Sequence, residues 1–200
     1  MRISICMVMT SVALAACASA PVHYYSLQPP ASLPVAVPGA HFALDVLPVD
    51  IPPEADRPEW IARNTDGSVR ILPNSQWAAP LGTELQSALS TQLENRTGVL
   101  LVDSMAPSSL PVLRLKLSIR RFDIAPGHPT DIDTEWSLGA PGKPHLFCRH
   151  HFTANVTSSD TAALAAIRQW EDELSDQIGH TILSWDARAV ALPACSSDKG

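Results

Sequence analysis

The 200-residue chain predicts an α+β fold: a single domain in which a mainly antiparallel sheet carries two amphipathic helices packed on one face. Three observations lead there. Two long segments repeat apolar residues at helical spacing, several shorter ones alternate at strand spacing, and they run in the order strands, helix, strands, helix. The length suits one domain, and no internal repeat divides it.

The elements follow in order. Eleven of the eighteen prolines fall between residues 21 and 80, so that half is extended and turn-rich, without long helices. Within it, His23 to Gln28 is aromatic and compatible with a strand. His41 to Asp50 sets Phe42, Leu44 and Val46 on one side and Ala43, Asp45 and Leu47 on the other, which reads as a strand. Glu59–Asn64 and Ser68–Leu72 flank Thr65-Asp66-Gly67, a hairpin signal. From Pro80 to Thr97, Leu81, Leu85, Leu89 and Leu93 recur with Ala88 beside them, while Glu84, Gln86, Gln92 and Glu94 are placed on the outer side. Proline starts this helix and Gly98 stops it. Val99 to Val102 is a short buried strand. Val112 to Ala125 has one dry face, Leu113, Leu115, Leu117 and Ile119, and one wet face that includes Arg114, Lys116 and Arg120. One wet face argues for an antiparallel sheet covered on a single side. Asp131–Leu138 and His145–Thr157 are the next strands, joined across Gly139-Ala140-Pro141-Gly142. Asp160 is placed as the N-cap of a second helix to about Trp185, with Leu164, Ile167, Leu174, Ile178, Ile182 and Trp185 on its stripe and Glu171 at its edge.

The overall net charge of −6 conceals a different first segment. Residues 1–16 carry one charge, Arg2, ahead of an apolar run, as cleaved export signals do. Leu14-Ala15-Ala16-Cys17 closes that run and looks like a bacterial lipoprotein box, in which the cysteine thiolate takes a diacylglyceryl group and becomes the acylated amino terminus. Cleavage after Ala18 or Ala20 by an ordinary signal peptidase is the alternative. The expected division is 1–16 signal peptide, 17–23 lipidated tether, 24–186 folded domain and 187–200 C-terminal tail. The mature side-chain charge becomes −7. Two or more acyl chains anchor stably where one does not, and Ala18 in place of an aspartate favours the outer membrane by resemblance to sorted lipoproteins. No other stretch has the eighteen or so apolar residues of a spanning helix. Fourteen Lys and Arg scattered among twenty acids form no basic patch for nucleic acid.

Cys148 and Cys195 remain in an oxidising compartment. They read as a disulfide around 46 residues, with two free thiols as the alternative. Cofactor motifs are lacking: no phosphate loop, nucleophile elbow, His-Glu-x-x-His or Cys-x-x-Cys occurs. Cys148-Arg149-His150-His151, near His145 and His128, is the strongest metal candidate. On a strand, however, His150 and His151 point to opposite faces, and no metal is expected. Asp131, Asp133 and Glu135 form an acidic ridge that a neighbouring basic strand would neutralise better than calcium, which needs a turning loop. A Ser-His-Asp hydrolase has the residue types but no local sequence that selects a nucleophile. Five tryptophans, Trp60, Trp77, Trp136, Trp170 and Trp185, are many for a small chain with only two tyrosines and four phenylalanines. Core burial is the common fate of tryptophan, and interface anchoring the alternative.

Several segments taken together resemble a known family. They are Tyr24-Tyr25-Ser26-Leu27, Leu47-Pro48-Val49-Asp50-Ile51-Pro52, Asp56-Arg57-Pro58 with Ile61-Ala62-Arg63, Gln76-Trp77-Ala78-Ala79-Pro80-Leu81, Arg121-Phe122-Asp123 with Pro126-Gly127, and Trp136-Ser137-Leu138. Their order resembles the PqiC-like lipoproteins, the ABC-type transport auxiliary lipoprotein component family. The chain departs from the usual pattern at Gln76, where a basic residue commonly precedes the tryptophan, and in the short Pro53-Glu54-Ala55. The resemblance implies a non-enzymatic lipoprotein on the periplasmic face of the outer membrane. It also implies a partner, an MCE-domain tunnel protein rooted in the inner membrane. No catalytic residues and no cofactor beyond the N-acyl and S-diacylglycerol groups on Cys17 are expected. Asp56, Arg57, Pro58, Trp60 and Trp77 are the expected partner-binding residues, and assembly of several chains into a ring is expected from the avidity of linked anchors. An activator of a cell-wall synthase and an envelope hydrolase are the alternative functions.

Overall fold

The computed structural model describes residues 20–29, 42–64, 66–102, 110–185 and Cys195. The signal segment, Cys17 and the tail apart from Cys195 lie outside the described residues. Eight strands and two helices follow in the order β1 (His23–Tyr25), β2 (Ala43–Val46), β3 (Glu59–Arg63), β4 (Val69–Trp77), α1 (Leu81–Thr97), β5 (Leu100–Leu101), β6 (Val112–Asp123), β7 (Thr130–Gly139), β8 (Leu146–Ala154) and α2 (Asp160–Leu183). Among the described residues no helix is long and apolar enough to cross a membrane.

The fold is α+β, as the order of elements predicts, but the strands form two mixed sheets. The larger runs β5-β2-β6-β7-β8 and the smaller β1-β4-β3. β6, β7 and β8 make the expected antiparallel meander. β2, in contrast, lies parallel to both β5 and β6, and β1 lies parallel to β4. The cause is topological. After β2 the chain passes through the β3–β4 hairpin and α1 before β5, and such a crossover returns it to the end from which it started. Alternation along a four-residue strand reports its faces and carries no trace of that direction.

Local chemistry sets the helix ends. Pro80 precedes α1, and Gly98 closes it at φ +64° with its N–H on the Glu94 carbonyl at 2.8 Å. In α2 the capping residue is Ser159, one position before the expected Asp160. The Ser159 hydroxyl accepts from the Ala162 N–H at 3.2 Å. Asp160 instead turns outward to the small sheet, where its carboxylate accepts from the Tyr25 hydroxyl at 3.0 Å and from Ser75.

One core joins both sheets and both helices. The leucine stripe of α1 and the apolar stripe of α2 are buried, as their spacing predicts. Glu84, placed on the outer side of α1, and Glu171, placed at the edge of the α2 stripe, both lie within the core. Glu84 is buried because its carboxylate accepts from the Ser26 hydroxyl at 2.8 Å and the Leu27 N–H at 2.9 Å, clasping the chain beyond β1. Glu171 is 1% exposed, and neither carboxylate oxygen has a hydrogen-bond partner. Desolvation pushes its pKa up to about 8, with Asp172 and Glu84 adding to the rise and Arg168 opposing it.

The tryptophans are mostly core residues. Tilted and edge-on ring contacts run from the small sheet through the large one to α2: Tyr25 to Trp60 at 4.6 Å, Trp60 to Trp77 at 5.0 Å, Trp77 to Phe122 at 6.4 Å and Phe122 to Trp170 at 6.0 Å. Trp136 donates its indole N–H to Gln177 at 3.2 Å. Cys148 and Cys195 are bonded, their Cα atoms 5.7 Å apart, so the tail is tied to edge strand β8.

Candidate partner-binding surface

At the C-terminal end of the small sheet a depression of about 390 Å³ opens to solvent. Asp56, Arg57 and Pro58 form one wall, Gln76 to Pro80 the other, and Tyr24 the rim. The first wall is a proline-rich loop wound on itself. The Pro52 carbonyl accepts from Ala55 and Asp56 at 2.9 and 3.1 Å, and Arg57 N–H donates to Ala55 at 2.9 Å. Backbone bonds then lock the walls together, Trp77 N–H to the Pro58 carbonyl and Ala78 N–H to the Tyr25 carbonyl, each at 2.8 Å. Just upstream of these bonds β4 bulges over Pro73–Ser75, since Glu59 pairs with Gln76 while Trp60 already pairs with Leu72.

The depression offers an apolar floor and one opposed pair of charges at its lip. Arg57 Nε holds Glu59 at 3.0 Å, and the Glu59 carboxyl is kept below the usual carboxylate range by its own backbone N–H and by Arg57. Asp56 and Pro58 are exposed, Arg57 and Gln76 half-buried, and the Trp77 ring is nearly covered. Four of the five expected contact residues are thus brought into one surface. Trp60 is not. It is 0% exposed, sandwiched between Tyr25 and Trp77, and supports the floor without reaching a partner. Tyr24 is the residue sequence reasoning missed. Adjacent tyrosines on a strand point to opposite sides, so with Tyr25 in the core its neighbour had to be outside.

The opposite side of the molecule, the helix-free face of the large sheet, holds a broader depression of about 540 Å³. It is crossed by ion pairs: Lys116 to Asp50 at 3.0 Å, Arg114 to Asp45 at 3.2 Å, and Arg120 and Arg149 to Glu135, each at 2.8 Å. The two arginines hold the Glu135 carboxyl below its usual range. The acidic ridge is neutralised by neighbouring strands, as expected. Asp131, Asp133 and His151 do converge, their ligand atoms lying within 4.8 Å of one another, but Arg121 already stands 3.1 Å from Asp131. His150 is buried beside Cys148 on the helix side while His151 faces outward, so the two cannot chelate together.

Together these features define an α+β domain of two sheets, with a shallow, aromatic-floored depression at the open end of the smaller. Solved structures share the fold. One of an uncharacterised protein aligns with a TM-score of 0.65 at 19% identity, covering 82% of this chain and 99% of that one. A Xanthomonas campestris protein of family DUF330 aligns at 0.57 and 16% identity, covering 80% and 95%. No curated protein matches the chain. The family model described as "ABC-type transport auxiliary lipoprotein component" matches residues 25–179, and the chain belongs to that family.

Proposed function

We propose that the protein is a non-enzymatic docking component of an intermembrane lipid-transport system, held on the periplasmic face of the outer membrane by acyl groups on Cys17. Its partner is an MCE-domain tunnel protein, received at the depression formed by Asp56-Arg57-Pro58 and Trp77. The observation that carries this reading is the convergence of those residues, far apart in the chain, on one rigid surface in a protein of a transport-auxiliary family. Six residues, Ala18 to His23, precede Tyr24 and reach at most roughly 20 Å. A domain so tethered cannot cross the periplasm, so it needs a partner that does. The same short tether weighs against an activator of an inner-membrane cell-wall synthase. Several chains arranged as a ring would gather their anchors around one partner.

The test is affinity purification of the full chain from gently solubilised envelopes. Recovery of an MCE-domain protein is expected, and an Asp56→Lys, Arg57→Glu double variant should recover at least about tenfold less, equivalent to ~1.4 kcal/mol. Recovery of a cell-wall synthase alone would overturn the reading.

A further inference from the structure

The outer stretch of the β3–β4 hairpin forms a strip whose exposed apolar groups have no cover, and Val22 on the chain entering β1 is exposed as well. Val22, Val69 and Ile71 are 41%, 42% and 43% exposed. Val69 and Ile71, two apart on a strand, share a face, and Arg70 between them forms no ion pair among the described residues. The hairpin turn satisfies its own polar groups: Ser68 donates to Asp66 from its N–H at 2.9 Å and its hydroxyl at 2.6 Å, and Asn64 donates to Ser68 at 2.9 Å.

The direction of β1 relates this strip to the anchor. β1 runs parallel to β4 with His23 opposite Ser75, so its upstream end points toward the hairpin. Six residues separate Cys17 from His23, and six separate Val69 from Ser75. Each span is at most roughly 20 Å at ~3.3 Å per residue. The leaflet that holds a Cys17 anchor therefore lies within that reach of His23, on the side toward which the hairpin projects.

We infer that the β3–β4 hairpin is a membrane contact: Val69 and Ile71 rest against the headgroup layer of the leaflet holding the Cys17 acyl chains, and Arg70, on the opposite face of the strand, meets lipid phosphate. The self-satisfied turn suits that layer, which is polar, better than the acyl interior. The inference rests on lipidation of Cys17. It also assigns an orientation, because the depression lies at the other end of β4 and faces away from the leaflet, where a partner spanning the periplasm arrives.

The experiment places lipidated full-length protein in vesicles of phosphatidylethanolamine and phosphatidylglycerol. Val69→Cys and Ala78→Cys variants carry an environment-sensitive fluorophore. Only the new cysteine reacts when Cys17 is acylated and Cys148 is bonded to Cys195. The Val69→Cys label should shift to the blue and be quenched by brominated lipid, with the Ala78→Cys label unmoved. Protein that floats with the vesicles while the Val69→Cys label keeps its aqueous emission overturns the membrane contact and leaves the anchor intact. Protein that does not float, with an unmodified Cys17 by mass spectrometry, overturns the anchor and the contact with it.

Discussion

Glu171 makes the folded state sensitive to pH in a calculable way. Its carboxyl is raised from an ordinary 4.5 to about 8 by burial, so between those values the native state holds a proton that the unfolded chain has released. Stability from this group is therefore full below about pH 4.5, and it falls by ~1.4 kcal/mol per pH unit as pH rises toward 8. By pH 7 the loss is about 3 kcal/mol. Replacing the residue by its uncharged isostere, Glu171→Gln, removes the titration. Urea unfolding followed by tryptophan fluorescence at pH 5, 6, 7 and 8 should show wild type and variant nearly matched at pH 5. The variant should then gain by about 3 kcal/mol at pH 7, or roughly 6–12 °C in Tm for a domain of this size. The difference between the two proteins cancels the exposed histidines, which both share. A difference independent of pH would refute the argument, because it would mean that Glu171 is as ionised in the fold as out of it.

Three more outcomes follow from neighbouring features. Glu84→Ala strands the buried Leu27 N–H and should cost about 1–3 kcal/mol, whereas Glu84→Gln keeps an acceptor and lessens the repulsion on Glu171, giving a shallower fall of stability with pH. Ser159→Ala removes the α2 cap and should cost about 1 kcal/mol in the same urea assay. Cys195→Ser opens a loop of 46 intervening residues and should cost about 2–4 kcal/mol relative to the oxidised wild type, with no difference once both are reduced.

Periodicity made the helices, the hairpin and the antiparallel meander legible, because each buries a stripe or a face that spacing alone reveals. The two acids show where that signal was under-read. Glu171 lies four residues after Ile167 and three before Leu174, already on the apolar stripe, so its placement was available from spacing despite its charge. Glu84, three after Leu81, was equally on the stripe, but its reason for being there was not legible: its partners Ser26 and Leu27 come from 58 and 57 residues away. Strand direction in β1 and β2 was hidden for the same reason, since it is decided by crossovers. For the candidate site, Asp56, Arg57, Pro58 and Trp77 were reached through family resemblance, and the bulge in β4 that aligns them was not legible. Trp60 falls on the expected Glu59–Asn64 strand, but without apolar alternation there its burial was not legible, since it is decided by Tyr25 and Trp77, which pack on either side of its ring.

The parallel seating of β1 also governs how the molecule carries load. On the proposed function, with the chain held at Cys17 and a partner held at the far end of β4, tension would run along the two strands in opposite senses. Such loading shears the ladder, so its hydrogen bonds must yield together, where a hairpin pulled from one end would unzip them singly. Behind β1 the grip continues: Glu84 holds Ser26 and Leu27, Arg168 holds the Ser26 carbonyl at 3.1 Å, and Asp160 holds Tyr25. In that arrangement a three-residue strand would act as a mechanical cleat, passing traction from tether and partner into the helices.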